Sequence, residues 1–175
     1  MADIMSRIIR AAKLDASLYE EVEADRSAIG QAVAVVVLSS IAAGVGTIGR
    51  IGFAGLLGGT LMSLLGWVIW AWLIYMIGTK MLPEPQTRSD MGELLRTIGF
   101  SSSPGLIRVV GIIPGLATLV QIAAQIWMLV AMVIAVRQAL DYTSTFRAVG
   151  VCIIGWLIQL FFIMVLFWIF GGAGR

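Results

Sequence analysis

"LLRTIGFSSSPGLIRVVGII", Leu94 to Ile113, is the stretch on which the architecture turns. Its 20 residues match what an α-helix needs to cross a hydrocarbon core about 30 Å thick. Yet it carries three consecutive serines, Pro104 and Arg108, none of which a plain lipid-facing helix favours. Read as a span, it makes the chain a five-crossing protein. Read as a re-entrant loop, it leaves four crossings and puts both chain ends on one side.

The rest of the chain settles the medium. Of its 175 residues 59% are hydrophobic and only 13% charged, about half the charge of an ordinary soluble domain, and the mean hydropathy is +0.97. Apolar runs cover about 28–48, 53–78, 115–136 and 148–170 beside the 94–113 segment. The expected fold is therefore all-α: an integral membrane protein built as a five-helix transmembrane bundle over 27–175, preceded by a short amphipathic interfacial tail over 1–26. The opening residues lack a continuous apolar core, so no cleavable signal peptide is expected there.

Charge sorts the connections and favours five spans. Arg7, Arg10, Lys13, Arg26, Lys80, Arg88, Arg96, Arg137 and Arg147 fall on one side of a five-span layout, against Arg50 and Arg175 on the other. The positive-inside rule then places the N-terminus in the cytoplasm and the C-terminus outside. All ten acids, Glu84 and Asp141 among them, fall on the cytoplasmic side as well.

The segment "GTIGRIGFAGLLGG" sets a glycine at every third position, Gly46, Gly49, Gly52, Gly55 and Gly58. A phosphate-binding loop needs a strand before it and a soluble helix after it, and a collagen-like repeat needs proline. Neither is present, so these glycines are expected to make a tight external hairpin near Gly49–Gly52, flanked by helices in close approach.

In the tail, Ile4, Met5, Ile8, Ile9, Ala11 and Ala12 share one arc of a helical wheel while Arg7, Arg10 and Lys13 lie on the other. That pattern predicts a helix lying in the headgroup layer, its three cations contacting anionic lipid at the cytoplasmic face. A second helix is expected after it, with Ser17 and Glu20 as a capping box.

Polar groups inside the spans are the candidate functional residues: Arg108, Gln121, Gln125 and Gln159. Gln121 and Gln125 lie four apart on one face of the fourth span. Arg108 is placed close enough to the outer end to snorkel, or to take an internal hydrogen bond or a lipid phosphate. There is no histidine, a single cysteine (Cys152) and no carboxylate in any span. Ser–His chemistry and cysteine/histidine metal sites are excluded on those grounds, no catalytic residue is expected, and no cofactor is implied. A net charge of +2 gives no reason to expect nucleic acid as a partner. The tryptophans, six in all and spread over three spans, fit packing or lipid-facing roles.

The run "LLRTIGFSSSPGLIRVVGIIPGLATLVQIAAQIWMLVAMVIAVRQAL", followed by "ALDYTSTFRAVGVCIIGWLI", resembles the Ypt-interacting protein (Yip) domain, particularly its small bacterial members. The likeness rests on Leu94–Phe100, Pro104, Pro114 and Trp127, and extends more loosely from Leu14 to Phe170. It implies five transmembrane helices with a cytoplasmic N-terminus, and a bacterial inner membrane as the location. Eukaryotic members of that family are linked to Rab-type GTPases and vesicle traffic. No Asp-Leu-Tyr-Gly-Pro element stands in this sequence, and the family offers no catalytic motif to carry over. Two functional readings follow. The first is a non-enzymatic membrane organiser, adaptor or accessory subunit, partnered by the bilayer and by a second copy or another membrane protein. The alternative is a small-solute transporter or channel component whose path is lined by Arg108, Gln121, Gln125 and Gln159.

Overall fold

The computed structural model describes residues 3–45, 48–113 and 115–171. Among them the chain forms seven α-helices and no strand. Two short helices, α1 (Ile4–Ala12) and α2 (Ala16–Ala24), precede α3 (Ile29–Val45) and α4 (Ile48–Met76), which runs on as a π-helical turn over Ile77–Met81. Then come α5 (Met91–Phe100), a 3-10 helix over Ser103–Ile112, α6 (Ala117–Ala139) and α7 (Thr145–Gly171). Among the described residues four stretches are long and apolar enough to cross a membrane: Arg26–Val45, Gly52–Met81, Ala117–Ala139 and Thr145–Val165.

The expected third helix over 94–113 is corrected: it is not one continuous α-helix. Helix α5 stops at Phe100 because Pro104, four residues on, has no N–H to give and its ring crowds the Phe100 carbonyl. Ser101 Oγ donates back to the Ile98 carbonyl (2.7 Å), and the chain continues as 3-10 helix. Ten α-residues rise about 15 Å and ten 3-10 residues about 20 Å. Together they match the roughly 34 Å of the 23-residue α6 beside them. Summed along the chain, the two pieces thus have about the length of a full helix of the bundle.

The glycine repeat contains a break in the helix. Gly46 lies outside the described residues, as does Pro114 of the second expected turn. Gly49 is in a short helical piece, and the break is at Gly52, where φ is 64° and ψ −176°, a conformation that L side chains rarely adopt. Gly55 and Gly58 follow within α4, and a Cβ added at Gly58 would meet nothing within 4 Å, so that glycine does not mediate a close approach.

The charge-rich connections gather at one end. Glu84 accepts from the Thr143 N–H (3.0 Å) and hydroxyl (2.9 Å) and pairs with Arg147 (3.3 Å). Gln86 donates to the Asp141 carbonyl (3.1 Å), and Gln138 at the end of α6 donates to Glu20 of α2 (2.7 Å). Glu84 and Asp141 therefore share an end, with Tyr142 as the bolt between them. Its hydroxyl lies 3.1 Å from the Gly78 carbonyl and 2.8 Å from that of Leu82. Replacing Tyr142 by phenylalanine keeps the ring and leaves those carbonyls short of a donor, and is expected to cost about 1 kcal/mol. A lowered thermal midpoint in detergent checks this.

The tail is part of the core. Ile8 and Ala11 of α1, Leu18, Tyr19 and Val22 of α2, and Phe100 of α5 form one buried cluster. Asp15, rather than Ser17, caps α2, its carboxylate accepting from both the Ser17 N–H (3.0 Å) and hydroxyl (2.7 Å). The capping box in this chain is Asp90 with Glu93, at the start of α5.

Candidate functional site

Helical periodicity lines a pocket between the apolar helices, mostly apolar but carrying several polar side chains. On α3, Val36, Ser39, Ser40 and Ala43 recur at 0, 3, 4 and 7; on α4, Ser63, Gly66, Trp67 and Trp70 do the same. On α6 the matching set is Gln125, Met128, Leu129 and Met132, and α7 adds Trp156 and Gln159. The broken segment supplies Ile98, Ser102 and Arg108. These faces line an open pocket of about 360 Å³, within the range of small-ligand sites. An adjoining cavity of about 430 Å³, lined by Gln121, Thr118 and Val120 among others, shares Ala43 and Arg108 with the first.

The broken third segment packs closely beside this space and brings Arg108 to it. Gly105 lies where the 3-10 helix presses on α3 and α6, and a Cβ there would strike the Ser39 hydroxyl and Met128 Sδ (2.9 Å for the latter). With no side chain at Gly105 the backbone approaches closely, and three residues later Arg108 reaches the boundary of the two cavities.

Its walls are held in place. Trp67 Nε1 donates to the Leu95 carbonyl (3.1 Å) and Trp70 Nε1 to Met132 Sδ (3.2 Å). Toward the acid-rich end the cavity is shut by Trp70 and Trp156, whose ring centroids are 6.1 Å apart, and by the buried cluster of Ile74, Ile77, Leu94, Val136, Leu140 and Val151 beyond them. Helices α4 and α7 meet there, Trp70 lying over Gly155. Farther from that end both helices present exposed apolar side chains, Met62 and Leu65 on one, Leu160 and Ile163 on the other, with Ser63 and Gln159 exposed between.

The cavity holds a cation without a counter-charge. Arg108 forms no ion pair among the described residues, its Nε is buried with no hydrogen-bond partner, and neither lining set contains a carboxylate. The amides of Gln121, Gln125 and Gln159 also make no hydrogen bond among the described residues, and all three residues are exposed. Three of the four residues singled out for polarity inside a span, Arg108, Gln125 and Gln159, thus line one cavity, and Gln121 joins Arg108 in the next. Ser39, Ser40 and Ser63 belong to the site too. The signal that finds them is their 0, 3, 4, 7 spacing with small and aromatic neighbours.

The tail cations are placed differently from expectation. Arg7 is 4% exposed and donates to Glu21 (2.9 Å), Gln31 (2.9 Å) and Asp25 (2.8 Å). Arg10 pairs with Asp15 (2.8 Å) and Glu21. Among the three, Lys13 is exposed and is left to face outward. Arg96, counted with the connection charges, is instead buried in α5 and donates to the carbonyls of Val22 (2.8 Å) and Glu23 at the end of α2. A cation there also suits the negative end of that helix's dipole. No cluster of three histidine, cysteine, aspartate or glutamate side chains able to hold a metal occurs among the described residues.

All-helical among the described residues, with four helices long and apolar enough to cross a membrane and a pocket carrying polar groups between them, the chain has the architecture of a helical membrane protein. A family model described as the Yip1 domain matches residues 16–169, most of the chain, and the protein belongs to that family. No curated protein and no solved structure matches it.

Proposed function

We propose that this Yip1-family chain is a non-enzymatic organiser or accessory subunit of a bacterial inner membrane. In this reading it threads the bilayer five times, the third crossing being the broken α5 and 3-10 segment, with the N-terminus in the cytoplasm and the C-terminus outside. The excess of Lys and Arg at the end that holds Glu84 and Asp141 supports that orientation. The summed length of the two pieces, about 35 Å, supports the count.

The observation that carries the functional reading is how little of each long helix the chain itself covers. Only 22–33% of the most apolar window of each is buried, so most of the helix surface is left for lipid and for other helices. Cytoplasmic charges are largely spent on holding the tail and connections together. On α1, Lys13 with exposed Met5 and Ile9 is the part left for the headgroup layer.

Purification in a mild detergent tests this. A defined homo-oligomer, or a membrane partner recovered in fixed stoichiometry, is the expected result. A strictly monomeric chain whose loss leaves membrane complexes unchanged would overturn it. The second reading, a solute path, is favoured by the convergence of Arg108, Gln125 and Gln159. It ranks lower because the Trp70–Trp156 pair closes the cavity at one end. Flux in reconstituted vesicles that Gln125→Leu abolishes would promote it.

A further inference from the structure

We infer that the cavity between α4 and α7 is a binding site for a phosphate-bearing anionic lipid, its phosphate seated on Arg108 and an acyl chain lying against Trp67, Trp70 and Met132. The inference rests on the membrane placement proposed above, but not on the organiser role.

Charge comes first. An arginine among apolar helices is normally paired, because an uncompensated cation there is costly. Neither cavity touching Arg108 offers a carboxylate, so the negative charge must arrive with a ligand. A guanidinium presents a planar fork of N–H donors that fits two phosphate oxygens at once. The neutral groups around it, the amides of Gln125 and Gln159, make no hydrogen bond among the described residues and can donate to the remaining phosphate and ester oxygens. A zwitterionic headgroup gains less, since nothing acidic lies there to receive its ammonium.

Position selects a lipid over a free anion. Arg108 shares its outer cavity with Gln121, only four residues, or about 6 Å, from the start of α6. From there the long guanidinium side chain can snorkel outward to the headgroup layer, where lipid phosphates lie. The exposed polar edge at Ser63 and Gln159 falls mid-helix and is flanked by exposed Met62, Leu65, Leu160 and Ile163. A molecule entering there comes from the bilayer. The floor of tryptophan and methionine side chains is apolar enough for a hydrocarbon tail.

The test is native mass spectrometry of the full chain, stripped of lipid and re-exposed to vesicles of phosphatidylglycerol or of phosphatidylcholine. One phosphatidylglycerol retained per chain, in preference to phosphatidylcholine, is expected. Arg108→Gln should weaken retention by about tenfold or more, the factor lost with a charge-assisted hydrogen bond, whereas Arg108→Lys should lose less. Ser63→Leu, which narrows the mouth without touching the cation, is the second variant and should also reduce retention if Arg108→Gln does not fold. Excess inorganic phosphate should not displace the lipid. Displacement by it would make free phosphate the occupant and overturn the lipid assignment. Equal retention by wild type and both variants, or an unselective spread of lipids, would show an arginine that merely reaches the bulk headgroups, and would overturn the site itself. Failure of the oligomer test leaves this assay unaffected.

Discussion

Gly99→Val is expected to destabilise the protein by about 2–3 kcal/mol, the upper part of the range for forcing atoms into a well-packed core, and to lower its thermal midpoint in detergent accordingly. Gly99 sits on the buried face of α5 against Ala32 of α3. A Cβ added there would lie 2.8 Å from the Ala32 Cβ and 3.3 Å from its Cα and carbonyl oxygen. Two of those three atoms are backbone, which no rotamer change can move aside. Helix α5 would have to retreat from α3, taking with it Phe100 of the tail cluster, Leu94 of the other cluster and the Arg96 link to α2. Gly58→Val is the control. Valine is a better helix former than glycine, and at Gly58 an added Cβ meets nothing within 4 Å, so this variant should keep the wild-type midpoint. Equal midpoints for the two variants would refute the close crossing of α3 and α5.

These two glycines also show where sequence reading reaches and where it stops. Gly58 drew attention because it belongs to a visible three-residue repeat, but it faces open space. Gly99 stands in no pattern, and its role depends on Ala32, 67 positions away in the chain. Apolar length and charge bias are local sums, and they identified the long helices and the gathering of Glu84 and Asp141 at one end. The third segment defeats such sums. Its hydropathy is that of a span, and Pro104 announces a break, but composition does not distinguish a kinked α-helix from ten residues of 3-10 helix.

Within the site, residue type alone picked out Arg108, Gln125 and Gln159, because a charged or amide side chain is conspicuous among Leu, Ile and Val. The serines were less conspicuous. Ser40 and Ser63 donate to the carbonyls of Val37 (2.8 Å) and Gly59 (2.9 Å), the usual way a hydroxyl satisfies itself within a membrane helix. Arg96 was hidden for a different reason. Its partners are backbone carbonyls at Val22 and Glu23, and no side-chain pattern announces a carbonyl. The pairing of Arg7 with Glu21 and Asp25 was open to view in the opening residues, yet an amphipathic basic helix followed by an acidic one fits a lipid anchor as readily as a clasp between the two.

Those alternatives separate on Arg7→Glu. The substitution places a carboxylate against Glu21 and Asp25 in place of the guanidinium, and α1 is expected to undock. Arg7 is 4% exposed, and removing one partner of a fully buried pair costs about 3–5 kcal/mol. Glu21 is one-third exposed, so solvent screening reduces the expected loss to about 2 kcal/mol, some thirtyfold in the docked-to-open ratio. Trypsin cleavage after Lys13 in a neutral, lipid-free detergent should accelerate by about that factor if opening precedes cutting. Lys13→Glu, which changes an exposed residue, should leave the hydrogen exchange of the α1 amides unaltered. Acid gives an independent arm. The Ser27 hydroxyl and then the Arg7 guanidinium hold the Asp25 carboxyl down to about 2, and Arg10 ahead of Arg7 lowers that of Glu21. Groups depressed on folding contribute their full stabilisation above the ordinary carboxylate pKa near 4 and lose it as pH falls through the folded value. The α1 amides should therefore be protected at pH 7 and pH 5 and lose protection between about pH 4 and pH 2, once the intrinsic pH dependence of exchange is removed. A tail held by anionic lipid alone would be open in lipid-free detergent at every pH and indifferent to Arg7→Glu. That result would return the basic face of α1 to the membrane surface and dissolve the clasp.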